Sequence, residues 1–166
     1  TEGLMYPVPF VSDVRDNIRI AEQAEHLGYD SVWGNDHIAT QSYVLEDFGR
    51  SPSYFSPLIT LAAIAEHTTT LKLCTALLVL PFRQPGLLAK ELATLDHLCG
   101  GRLRLGVGIG AYREEFEALF GSAAHGKQRG AMMDESLELL HRLFTQEEVT
   151  FHGKYFEVEN LRSTPK

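Results

Sequence analysis

Asp36-His37 and the run Gly106-Val-Gly-Ile-Gly-Ala111 are the two places in this 166-residue chain where residue type and position suit chemistry. An imidazole titrates near neutrality, so His37 on a loop after a strand suits work as acid, base or orienting donor; otherwise its ring only hydrogen-bonds a neighbour. Glycines at 106, 108 and 110 let backbone approach something closely, and loops at strand C-termini are where α/β folds bind ligands. The same run fits G-x-G-x-x-A, a dinucleotide fingerprint, at Gly106, Gly108 and Ala111. That fingerprint wants an acidic residue about 20 positions on, at the end of the next strand. Here that distance lands on Gly130 to Asp134, inside a helical pattern, so a lone match does not carry a nicotinamide-binding Rossmann reading. None of the seven histidines shows a spacing such as HExxH, and no metal site is expected.

The elements that must position these residues alternate between strand and helix. Gly3 to Tyr6 reads as the stub of a first strand. Ser12 or Asp13 caps a helix to about Leu27, with Ile18, Ala21, Ala24 and Leu27 as its apolar stripe and Gly28 closing it. Ser31 to Trp33 is a short second strand that empties into Asn35-Asp36-His37 and a long polar loop to about Tyr54. Loops of that length are usually functional or mobile. Ser56-Pro57 starts a helix to about His67. Leu71 to Val79, apolar almost throughout, is a third strand buried on both faces, as in a parallel sheet.

Pro81 and Pro85 bracket a turn holding Phe82 and Arg83; Arg83 either reaches an acidic group at the site or, as is commoner in such a turn, pairs with a surface carboxylate. A helix from about Gly86 to Leu98 ends at Gly100-Gly101, and a fourth strand, Leu103 to Val107, runs into the glycine run. Glu114-Glu115 opens a further helix, and the pattern loosens across Gly121 to Gly126. Arg129 to Phe144 is a long amphipathic helix with Met132, Met133, Leu137, Leu140 and Phe144 as its buried side. Val149 to Val158 reads as a β-hairpin turning at His152-Gly153.

Composition bounds the class. Hydrophobic residues make up 44% and charged residues 22%, ordinary for a soluble domain with one core. The formal net charge of −7 argues against a nucleic-acid surface, and no apolar run approaches a membrane span. The opening residues show no signal peptide and no initiating Met. Cys74 and Cys99 form no CxxC pair and lie in apolar settings, so both read as reduced core thiols of a cytoplasmic protein. Four parallel βα units leave two bare sheet edges, a hazard that favours association into a homo-oligomer. The sheet is either open and doubly wound or half of an eight-stranded barrel.

Four segments bear a family resemblance: AEHLGYDSVWGNDH (Ala24 to His37), Ser56 to Pro85, LAKELATLDHLCGGRLRLGVGIGAYREEF (Leu88 to Phe116), and the long helix with FHGKYFEVEN (Phe151 to Asn160). Together they resemble the bacterial-luciferase-like superfamily of flavin- and deazaflavin-dependent oxidoreductases. The run from Leu88 to Phe116 is most similar to the branch that uses coenzyme F420, a deazaflavin. The resemblance implies an α/β TIM-barrel fold of which this chain is the N-terminal half, about four βα units plus a β-hairpin. It implies F420 or, alternatively, FMN as cofactor and a small organic substrate. A third possibility is a non-catalytic flavin-binding protein.

Site residues also follow from the resemblance. Asp36-His37 would sit near the reactive ring, with His37 catalytic. Thr75-Ala76-Leu77 would press against the ring, often through a bulge and a non-proline cis peptide, which alignment puts at Ala76–Leu77; the other reading is an ordinary buried strand. The backbone of Gly108-Ile109-Gly110-Ala111 would contact the cofactor. Some sugar-phosphate dehydrogenases of the branch carry Glu where this chain has Ala111, which argues against that substrate class. Tyr112 and Arg113 either line the substrate mouth or form a solvated helix start.

Overall fold

The structure, a computed structural model, describes residues 12–121 and 128–166. The expected strand Gly3 to Tyr6 and most of the stretch Gly121 to Gly126 lie outside these. The described chain is a mixed α/β fold. Its helices and strands run α1 (Val14–His26), β1 (Ser31–Gly34), α2 (Ser42–Phe48), α3 (Pro57–His67), β2 (Lys72–Val79), α4 (Pro85–Leu98), β3 (Leu103–Gly108), α5 (Arg113–Phe120), α6 (Arg129–Thr145), β4 (Val149–His152) and β5 (Glu157–Leu161). Strands β1, β2 and β3 form one parallel sheet in that order, with Ser31 opposite Lys72 and Leu73 opposite Leu103. Strands β4 and β5 form the expected antiparallel hairpin.

Local chemistry explains most element ends. Asp13 caps α1 by accepting from the Arg15 N–H at 2.9 Å, and Gly28 follows in the left-handed region at φ 80°. Pro57 and Pro85 sit in the first turns of α3 and α4, where a missing N–H costs nothing. The Gln84 side chain caps α4 through the Leu87 N–H at 2.8 Å. The core lies between the sheet and its helices: Val32, Leu73, Leu78 and Leu103 meet Leu61, Ile64, Leu88, Leu92, Leu139 and Leu143. Cys74 and Cys99 are free and buried, as expected. Among the described residues no helix is long and apolar enough to cross a membrane.

Two expectations are corrected. The polar loop after β1 is interrupted by α2, which buries Val44 and ends at Gly49 with φ 67°. Gln41 gives it no side-chain cap, so the helix start carries no local signal. On the expected buried side of α6, Leu140 is buried and Met133 and Phe144 pack against the core, but Leu137 points outward, and Ser136, Leu139 and Leu143 complete the buried face. Ser136 tolerates burial because its hydroxyl donates to the Met132 carbonyl at 2.8 Å.

Two charged side chains close the N-terminal end of the sheet. The Glu25 carboxylate accepts backbone N–H groups from Thr69, Thr70 and Leu71 at 2.9, 2.6 and 2.9 Å. Burial pushes its pKa up, but these bonds outweigh that and hold it at about 2. The Arg102 guanidinium donates to the carbonyls of Ala65, Thr68, Leu71 and Cys99 at 2.7–3.1 Å. A third staple ties the hairpin to α6: Glu135 accepts the N–H groups of Lys154, Tyr155 and Phe156. A Cβ at Gly153 would lie 2.0 Å from a Glu135 oxygen, so the carboxylate would have to draw back from these amides to admit one.

Candidate functional site

The candidate site occupies the C-terminal end of the parallel sheet, where such sheets bind ligands. Strand β1 delivers Asn35-Asp36-His37 there. Asp36 is 4% exposed. One of its oxygens accepts the Val79 N–H at 2.9 Å and an Arg83 N–H at 2.5 Å, and the other accepts from Arg83 at 2.9 Å. This fork-to-fork pair pins the loop after β1 to the end of β2. Arg83 therefore pairs with a buried carboxylate, not a surface one, and the Asp36 carboxylate is already engaged within the protein.

His37 projects beyond this anchor. Its ring lies 4.8 Å from Tyr54 and 5.7 Å from Tyr112, centre to centre. Its Nδ1 is 3.1 Å from Oε1 of Glu115, which is 1% exposed. The same oxygen accepts the Ile38 N–H at 3.1 Å, the Ala39 N–H at 3.4 Å and the Gln41 amide at 3.0 Å. Burial would raise the Glu115 pKa, but hydrogen bonds from His37 and from the Ala39 and Ile38 backbone hold it below its usual value, so the carboxylate is ionised. Glu114 supplies what α2 lacked locally: its carboxylate accepts the Ser42 N–H at 3.1 Å and the Ser42 hydroxyl at 2.6 Å. The paired glutamates at the start of α5 thus clamp the loop after β1.

Sequence reasoning read that pair only as an acidic helix start and missed Glu115 as the partner of His37. The visible signal was a carboxylate followed by the buried Phe116 in a first turn, which also fits a solvated helix. Tyr112 faces His37 and stacks on Tyr43, whereas exposed Arg113 pairs with Glu117 at 2.6 Å.

The second and third predicted places lie beside this loop. The register of β2 against β3 shifts between Thr75 and Leu78, and the Ala76–Leu77 peptide is cis, as alignment placed it. Thr75 is fully buried and donates its hydroxyl to the Gly106 carbonyl at 2.8 Å. Leu77 is 40% exposed. The glycine run serves this bulge. A Cβ at Gly106 would lie 2.4 Å from the Thr75 carbonyl oxygen, and one at Gly108 would lie 2.8 Å from a Leu77 methyl. The close approach read from these glycines is made by β2. Gly110 adopts φ 79°, and Ala111 beyond it is exposed.

A flat cofactor finds two fitting features at this end. Leu77 and Ile109 are exposed apolar side chains at the strand ends. Asn35, one residue past β1, has a buried Nδ2 with no hydrogen-bond partner among the described residues. No sequence spacing marks one group of acidic and imidazole side chains among the described residues of the hairpin. His152, Glu157 and Glu159 bring ligand atoms within 4.8 Å of one another, but all three are exposed and already pair through His152.

A parallel α/β frame gathering an imidazole and a buried carboxylate at its strand C-termini defines an enzyme-like class. The chain belongs to the luciferase-like monooxygenase family, which it matches over residues 2–166. It is 34% identical to F420-dependent glucose-6-phosphate dehydrogenase of Amycolatopsis mediterranei, over 89% of this chain and 43% of that protein. Monooxygenase RslO1 from Streptomyces bottropensis superposes with a TM-score of 0.80 at 28% identity, covering 92% of this chain and 43% of that one. The oxygenating constituent of 3,6-diketocamphane monooxygenase from Pseudomonas putida, a type II Baeyer-Villiger monooxygenase in complex with FMN, gives 0.78 at 26% identity, over 93% and 41%. The chain thus spans less than half the length of these relatives.

Proposed function

We propose that this chain supplies the His37 side of the active site in a TIM-barrel oxidoreductase that moves a hydride between coenzyme F420 and a small organic substrate. The observation that carries the reading is the clamped His37, set at the C-terminal end of a parallel sheet beside the Thr75–Leu78 bulge. Likeness to an F420-dependent dehydrogenase favours the deazaflavin. Leu77, Ile109 and the backbone of Gly108 to Ala111 would pack against the ring, with the Asn35 amide as an available donor. Thr75 and Asp36 would act from behind, by holding the bulge and the His37 loop in place. When bound, the deazaflavin supplies two-electron hydride chemistry. His37 would hold or release the proton on the substrate oxygen, and Tyr54 and Tyr112 would keep water from its ring. Exposed Ala111, lacking a carboxylate, supports a substrate other than a sugar phosphate.

A second reading, an FMN-dependent monooxygenase, draws on the FMN-bound structural relative. The buried free thiols support work in the cytoplasm, and a sheet of three described strands with β1 and β3 outermost supports association into a homo-oligomer. The test is titration of the complete protein with F420 and with FMN, followed by fluorescence, then turnover with and without oxygen. Tight F420 binding with oxygen-independent turnover is expected. FMN binding with oxygen consumption would replace this reading with the second. A flavin retained without turnover would mark a binding protein, and binding of neither would overturn both enzyme readings.

A further inference from the structure

We infer that Glu115 is a positioning residue that keeps the proton of neutral His37 on Nδ1 and so presents Nε2 as the proton acceptor. This rests on the catalytic reading of His37 given above. The argument begins with Gln41, whose amide nitrogen lies within reach of three acceptors. These are the Ala39 carbonyl at 3.1 Å, Glu115 Oε1 at 3.0 Å and His37 Nδ1 at 2.8 Å. The amide has two protons. Its orientation is fixed from the other end, because its oxygen accepts from the Tyr54 hydroxyl at 3.3 Å. Turning it over would set its oxygen against the Ala39 carbonyl and the Glu115 carboxylate.

Two arrangements follow. If Gln41 donates to Nδ1, a bare nitrogen lone pair faces an ionised carboxylate 3.1 Å away at a buried position, and one of the two oxygen acceptors loses its proton. If Nδ1 carries the proton, the contact with Glu115 becomes a charge-assisted hydrogen bond, and both Gln41 protons go to oxygen. The second sets two N–H donors 2.8 Å apart and four donors around Oε1, a crowding eased because both protons point to that shared anionic oxygen. Nε2 has no hydrogen bond to any described residue, so the proton-accepting position is the one left for a substrate. The same carboxylate would stabilise the imidazolium formed when Nε2 takes a proton.

Glu115 has a separate structural duty, since it also holds the Ile38 and Ala39 amides. A test must separate the two. Long-range proton–nitrogen NMR of the imidazoles in the complete protein, at a pH where His37 is neutral, reads the tautomer directly; a His37→Asn variant assigns the signals. The expected result is a protonated Nδ1 and a bare Nε2. In Glu115→Gln, which can still accept the two backbone amides, the tautomer should shift toward Nε2–H. The turnover number should fall at least tenfold with cofactor affinity unchanged, and Glu115→Asp should restore part of it.

A wild-type spectrum with the proton on Nε2 overturns the inference, as does an inverted tautomer with turnover unchanged. Should Glu115→Gln fail to fold, Glu115→Asp serves instead: its shorter carboxylate draws back from Nδ1, so the Nε2–H share must rise, and an unchanged tautomer would overturn the inference. If wild-type protein shows the expected tautomer but binds neither F420 nor FMN, the function proposed above fails while the tautomer assignment stands.

Discussion

The two ends of the parallel sheet are built from the same parts and finished differently. At the N-terminal end, Glu25 takes three backbone amides and Arg102 takes four backbone carbonyls, so each charge is spent on the main chain. At the C-terminal end, Glu115 likewise takes backbone amides and Arg83 takes a buried acid, yet an imidazole nitrogen and the Asn35 amide are left over. One end is a closed account of donors and acceptors. The other keeps polar groups in reserve, which in a well-packed protein is the mark of a ligand site.

Substitutions at the two ends should therefore separate stability from activity. The largest effect is expected from Arg102→Ala, which strands several carbonyls: a loss of about 3 kcal/mol in urea unfolding. Turnover per folded molecule should hold, and a drop in turnover of the folded fraction would mean that the ends are coupled. His37→Ala should do the reverse, cutting turnover about 100-fold with little change in the unfolding midpoint. Unchanged turnover would remove His37 from catalysis.

Gly153→Ala sharpens the contrast from a third position, because its Cβ would collide with Glu135 and detach the hairpin from α6. A cost of about 2 kcal/mol is expected, with cofactor affinity unaltered. The smallest effect concerns acid. The folded pKa of Glu25 is about 2 against an ordinary 4.5, so its contribution is full above about pH 5 and disappears as pH falls toward 2. Partial exposure screens it to about 1 kcal/mol. Glu25→Gln should flatten the acid limb of the stability curve, and an unchanged limb would deny the staple its role.

Much of the frame was legible because its signals are local. Asp13, Gly28, Pro57 and Gly110 mark element boundaries through their own backbone preferences, and the apolar run of β2 announces burial on both faces. His37 and the bulge at Ala76–Leu77 were reachable through family resemblance. The illegible parts are those whose cause lies far along the chain. Helix α2 starts at Gln41 without a local cap because Glu114 provides one. Arg83 sits in an exposed-looking turn, yet its partner is 47 residues back in a buried loop. Ser136 lies on a buried face because a hydroxyl can borrow a carbonyl within its own helix, a choice that periodicity does not encode.

His37 and Glu115 are 78 residues apart in sequence. The loop that carries His37 therefore belongs to the high-contact-order part of the fold and cannot take shape from its own neighbourhood. During synthesis it must wait for β3 to join the sheet and for α5 to dock, since loop closure over that span precedes any reward from the contacts it makes. The loop that carries His37 would then be set only after α5 has been made, and a lesion in α5 that never touches the histidine would delay it.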